Sequence, residues 1–150
     1  FGIAPGAGEN EKKWPIEKYI LLTKRFIEKG FTPCFFFGPQ DNKERERIIN
    51  IFGKVLEPEK SFEDITNVEK IMSSTEYLEF AVSNDSGISH MLSTEKCILF
   101  KIFNDKDPIK FTKYSSNILT ISPLNKRSID TIEVSEVERL IFNKLRNHIS

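Results

Sequence analysis

The sequence predicts an α/β fold, a Rossmann-like parallel sheet with helices on both faces. Three observations carry this. Strand-like and helix-like segments alternate along the chain, as in linked β-α-β units. The strand-like run at 33–37 is short and continuously apolar, as in strands covered on both faces. Two loops, 5–13 and 84–90, follow strand-like runs directly, which places both at the sheet edge where such folds bind ligands.

The elements follow in order. Residues 1–4 form a strand. Residues 15–29 form an amphipathic helix with Pro15 in its first turn. Its apolar face is drawn by Ile16, Tyr19, Ile20, Leu22 or Thr23, Phe26 and Ile27, and Gly30 stops it. Residues 33–37 form the second strand. Residues 42–52 read as a helix ended by Gly53, and 54–56 as a short strand. A helix over 67–73, a strand over 79–83, a short helix over 88–93 and a strand over 97–103 come next. A polar loop spans 104–117 around Pro108, and 118–121 is the last strand. Ser135 with Glu138 has capping-box spacing for a terminal helix to about residue 147.

Composition narrows the function classes. At 150 residues the chain is one domain, with no linker or repeat that splits it. The 22 basic and 22 acidic residues balance, so nothing asks for nucleic acid as a partner, and any anion site is local. The 13 phenylalanines fall mostly in apolar runs and read as core. Cys34 and Cys97 sit in strand-like runs and read as buried free thiols of a reducing compartment. No apolar run approaches the ~18 residues that span a bilayer, which predicts a protein without a transmembrane segment. No His/Cys/Asp/Glu cluster has metal-ligand spacing, and no Gly-x-Gly-x-x-Gly follows a strand, which argues against an NAD oxidoreductase. The chain lacks an initiator Met and begins inside a strand, so it reads as part of a longer protein whose preceding half is missing.

The chemistry concentrates in the two loops. The stretch Asn84-Asp85-Ser86-Gly87-Ile88-Ser89-His90 turns from a strand into a helix start. Backbone N–H groups there lack intrahelical partners and the helix dipole adds positive charge, which suits an anion. Gly87 leaves room for a phosphate near the backbone, and His90 sits within the first turn. The plainer reading is an Asp/Ser cap with a structural histidine. The first loop, Ile3-Ala4-Pro5-Gly6-Ala7-Gly8 leading to Lys12-Lys13-Trp14-Pro15, combines glycines with point charges for phosphate. Its plainer reading is a pair of solvated lysines.

Together these stretches, and an intervening strand that ends in Phe36-Phe37-Gly38-Pro39, resemble the C-terminal domain of glycosyltransferase family 9, which contains the ADP-heptose:lipopolysaccharide heptosyltransferases. The resemblance covers nearly the whole chain and implies the C-terminal half of a GT-B glycosyltransferase. It implies a nucleotide-diphosphate sugar, such as ADP-heptose, as donor substrate, with inverting transfer and no cofactor or metal. The acceptor it implies is a lipopolysaccharide-type glycan or lipid-linked glycan, held through the missing domain. Localisation is then cytoplasmic, peripheral at the inner face of the membrane.

The resemblance also distributes roles. Lys12 contacts phosphate, together with the loop residues Gly6 and Ala7. Asp85 orients the donor at its phosphate and sugar end. Ser86 and Gly87 give backbone N–H groups, and the Ser86 hydroxyl, to phosphate. His90 donates to phosphate or sugar. An acidic residue after the second strand, Glu44 or Asp41 beside Gln40, contacts the nucleoside. Trp14 packs the loop rather than stacking on a base. No catalytic base falls in this chain. It is expected in the N-terminal half, so this chain should bind donor without turnover. Two departures from the family pattern bear on the sugar and the base: Lys101-Ile102-Phe103, where many relatives carry Gly, and Met91-Leu92-Ser93-Thr94, where relatives are often Ala-rich. A non-catalytic nucleotide or sugar-phosphate binding module and a GT-B epimerase-type enzyme are the alternatives.

Overall fold

The computed structural model describes residues 1–60, 66–94, 96–104, 116–124 and 127–149. Among the described residues, five strands form one sheet: β1 (Gly2–Ala4), β2 (Cys34–Phe35), β3 (Phe80–Asn84), β4 (Ile98–Ile102) and β5 (Ile118–Ile121). Their order is β2-β1-β3-β4-β5, and every pairing is parallel. The chain runs outward from β1 to β2 and then returns past β1 to β3. The β1/β3 junction is therefore the switch point where such sheets open a ligand crevice.

Strand alternation divides the core in two. Ile3, Phe35, Val82 and Phe100 face one side. They meet Tyr19, Leu22 and Phe26 of α1 (Ile16–Glu28), Ile48 of α2 (Asn42–Phe52) and Val137 and Ile141 of α5 (Val134–Ile149). Ala4, Phe36, Ala81 and Leu99 face the other side, against Ile71 of α3 (Asn67–Ser74) and Ile88 and Leu92 of α4 (Gly87–Leu92). Helices thus cover both faces, as the apolar runs imply. Phenylalanines build much of the first layer, where the Phe80 ring lies 5.0 Å from Phe26 and 5.3 Å from Phe1.

Several boundaries differ from expectation. Pro15 caps α1 from outside, at φ −52°, and Gly30 ends the helix at φ +89°. Ile27 is 41% exposed, so the buried stripe is Tyr19, Ile20, Leu22, Thr23 and Phe26. The short strand at 54–56 reduces to a bridge, in which Leu56 pairs with Cys34 at the sheet edge. Cys97 is buried but Cys34 only partly so, because Cys34 lies in the edge strand. Burial raises the Cys97 thiol pKa to about 11.

The capping box at Ser135 and Glu138 does not form. The Glu133 carbonyl already accepts from Glu136 and Val137, so α5 starts before Ser135 and runs on to Ile149. Glu138 instead bonds Arg25 of α1 at 2.8 Å and pairs with Lys29 at 3.4 Å. Capping boxes close α3, through Thr66 and Glu69, and α4, through Ser86 and Ser89. The central part of the expected loop around Pro108, 105–115, lies outside the described residues.

Candidate functional site

Three loops meet at the switch point. Residues 6–8 after β1, 38–41 after β2, and 86–88 with Met91 after β3 line a cleft of about 240 Å³. A second, more polar cavity of about 480 Å³ lies nearby, between 10–13 and 127–130. A more apolar one, about 400 Å³, lies at the opposite sheet edge among residues that precede the strands, such as Phe1, Thr32 and Leu78. Only the first joins both anion-friendly loops, so size alone does not mark the site.

Asn84, the last residue of β3, ties the loops together. Its Nδ2 donates to the Pro5 carbonyl at 2.7 Å. Its Oδ1 accepts from the Trp14 backbone N–H and from the Tyr19 hydroxyl, each at 3.0 Å. All of this is buried, where a satisfied polar network rigidifies its surroundings. Trp14 is 1% exposed, packs edge-on against Tyr19 at 4.9 Å and donates from Nε1 to the Ile132 carbonyl at 2.9 Å. It is a packing residue that sets the path of the loop, as the sequence suggests.

Asp41 links the second loop to the first. Its carboxylate accepts from the Gly38 N–H at 2.6 Å and occupies the space that a side chain on residue 6 needs. Gly6 is therefore glycine because Asp41 packs on it. Burial raises the Asp41 pKa, and the Gly38 N–H partly opposes the rise.

Gly87 behaves differently. Beyond its chain neighbours and the backbone of its own helix, no protein atom lies within 4 Å of the place its Cβ would take, and its φ is not positive. The fold itself does not demand glycine there. At the neighbouring cap, the Ser86 N–H donates to Ser89 Oγ at 3.1 Å, and Ser86 Oγ accepts from the Ser89 N–H at 3.2 Å. The Ser86 N–H expected to serve phosphate is thus engaged by the cap. The N–H groups of Gly87 and Ile88, at the helix start, are the ones without intrahelical acceptors.

Gly6, Ala7, Asp41, Ser86 and Gly87 line the cleft, together with Gln40. Lys12, Glu44, Asp85 and His90 are not part of its wall. Lys12 pairs with Glu9 at 3.0 Å within the loop. Lys13 pairs with Glu44 at 2.7 Å and so joins the first loop to the first turn of α2. His90 is exposed on α4. Asp85 lies 3.3 Å from the ammonium of Lys101, an ion pair too oblique for a directed hydrogen bond. Burial lowers the Lys101 pKa, and Asp85 works against that shift.

Sequence reasoning missed Asn84 and Lys101 as site residues. Both carried a signal, as polar side chains closing or interrupting apolar strand runs. Among the described residues, no three His, Cys, Asp or Glu side chains gather as metal ligands, and no helix is long and apolar enough to cross a membrane.

The parallel sheet and its switch-point cleft define a Rossmann-like α/β domain, the architecture of the C-terminal half of a GT-B glycosyltransferase. Solved structures share it. ADP-heptose lps heptosyltransferase II of E. coli superposes with a TM-score of 0.81 at 20% identity, over 99% of this chain and 47% of that one. The glycosyl transferase family 9 protein of Veillonella parvula gives 0.83 at 16% identity, over 97% and 46%. E. coli heptosyltransferase WaaC, solved with ADP, gives 0.78 at 16% identity, over 95% and 43%. This chain spans less than half the length of each. The family model of glycosyltransferase family 9 (heptosyltransferase) matches residues 1–139, and the chain belongs to that family. No curated protein matches it by sequence.

Proposed function

We propose that this chain is the donor-binding half of a heptosyltransferase-like enzyme. The observation that carries the reading is the closure of three post-strand loops on one cleft at the switch point of a family 9 chain. The donor is a nucleoside-diphosphate sugar. ADP-heptose is favoured, because one neighbour is solved with ADP and also with ADP-2-deoxy-2-fluoro heptose. Its nucleoside lies toward 38–44, with Gln40 in the wall, Glu44 held by Lys13, and Asp41 acting mainly as the staple between loops. Its diphosphate lies between Gly6-Ala7 and the 86–88 turn, with Lys12 and His90 at the rim. Asp85 faces the sugar end.

Transfer is inverting and needs no metal. The departing diphosphate is stabilised by oriented N–H groups and the Lys12 charge. The base that deprotonates the acceptor hydroxyl lies outside this chain. The acceptor is a lipopolysaccharide-type glycan, met at the cytoplasmic face of the membrane. Alone, the chain binds donor without turnover.

NMR titration with ADP, GDP, UDP and their sugars tests this. Shifts concentrated at 5–13, 38–41 and 84–90, with affinity of roughly high micromolar to millimolar for a half cleft, are expected. No movement at these residues with any of the ligands overturns the reading.

A further inference from the structure

Lys101 sits within β4 at 1% side-chain exposure, a place where lysine is rare. It stands opposite Ser83 in the sheet register, so both project onto the same face. Its Nζ lies 3.3 Å from Asp85 Oδ1 and 5.1 Å from the centre of the Phe103 ring. Asp85 Oδ1 and Ser83 Oγ are both buried without a directed hydrogen bond among the described residues. A buried ion pair is weak evidence for stability, since apolar replacement of both partners is often neutral or better. The pair makes more sense as a way to set the Asp85 carboxylate. That side chain is 20% exposed, yet its Oδ1 is buried beside the ammonium, so the exposure comes from its other atoms.

We propose that Lys101 is a positioning residue for the donor: it anchors Asp85 Oδ1 so that Oδ2 accepts a hydrogen bond from a hydroxyl of the transferred sugar. The proposal rests on the donor-binding reading above. Lys101 touches no ligand in this scheme and acts through Asp85 alone.

Calorimetric titration of the whole chain with ADP and with ADP-heptose separates the possibilities. Lys101→Met is expected to weaken ADP-heptose about 10-fold or more, the scale of one charge-assisted hydrogen bond, and ADP less than about 3-fold. Asp85→Asn shows the same selective loss, and the double variant is no weaker than Asp85→Asn alone. Lys101→Gln, which keeps an N–H for Oδ1, recovers part of the loss. Should Lys101→Met fail to fold, the double variant, which removes both partners of the pair, and Lys101→Gln carry the test. Equal losses for both ligands, unchanged affinity, or additive losses in the double variant overturn the role of Lys101. Wild-type protein that binds neither ligand overturns the donor-binding reading itself and this proposal with it.

Discussion

The Asn84 side chain donates to the Pro5 carbonyl at 2.7 Å, a bond between groups 79 residues apart in sequence. It joins the end of β3 to the loop that follows β1, across the switch point. The same side chain accepts from Trp14 and Tyr19, so one amide holds a loop, a helix entry and a helix. Asn84→Ala leaves three buried polar groups without partners. A loss of at least about 2 kcal/mol in urea unfolding is expected, at about 1–3 kcal/mol for each unsatisfied group. Donor affinity falls with it as the 5–13 loop loosens. A loss under about 0.5 kcal/mol, the range of an ordinary surface change, shows that the clamp is dispensable.

Two of the cleft glycines, Gly6 and Gly8, should respond differently. A Cβ on residue 6 runs into the Asp41 carboxylate. Gly6→Ala therefore destabilises by about 1–3 kcal/mol, as overpacking does. Gly8→Ala, with nothing within 4 Å of the new atom, stays near wild type. Adding Asp41→Ala to Gly6→Ala restores part of the stability, and thermal unfolding of the series reads the coupling.

Gly87→Ala meets no atom beyond its own helix backbone and chain neighbours, so stability changes by no more than about 0.5 kcal/mol. If a phosphate approaches the backbone there, nucleotide affinity drops about 10-fold or more, equivalent to about 1.4 kcal/mol. Wild-type affinity in this variant moves the diphosphate away from the 86–88 turn.

The lysines of the first loop separate by ligand, not by stability. Lys12→Ala is expected to weaken ADP by about 1.5–3 kcal/mol, the value of a hydrogen bond to a charged group. Lys13→Ala weakens it less, since the Lys13–Glu44 pair is shorter and more buried than the Lys12–Glu9 pair and holds its ammonium more firmly. Neither changes unfolding by more than about 1 kcal/mol, because both ion pairs remain partly in water. Equal, small losses of ADP affinity would mean that neither lysine reaches the phosphate.

Asp41 predicts a pH dependence. Its folded pKa lies above the ordinary 3.8, chiefly through burial. The folded state therefore holds the extra proton in the window just above 3.8. The associated stability is complete below that value and is lost as pH rises through the folded pKa. Asp41→Asn has no such titration. Its stability relative to wild type should rise from the acid end of this window toward neutral pH. Parallel urea curves across that range would exclude the burial effect.

The fold class was legible because it depends on local pattern. Apolar runs of strand length, a helix entered at Pro15 and stopped at Gly30, and loops placed directly after strands were all visible in the chain. So were Lys-Lys-Trp-Pro and Asp-Ser-Gly-Ile-Ser-His, which carried the family. The capping box at Ser135 was misread because the same spacing suits a helix that starts earlier, and because Arg25 and Lys29 draw Glu138 away. Local spacing cannot weigh a partner more than a hundred residues distant.

Sequence by itself determined that residues 5–13 and 84–90 lie on one sheet edge, since parallel strands end on the same side. Only the tertiary structure decided what each residue does there. Gly6 yields its space to Asp41, whereas the space beside Gly87 is open. Lys13 meets Glu44 and Lys101 meets Asp85, pairs formed by neighbouring strands and loops rather than by neighbouring positions. Hydrogen bonds and ion pairs act over about 3–4 Å, so strand order and register select these partners from many that composition permits.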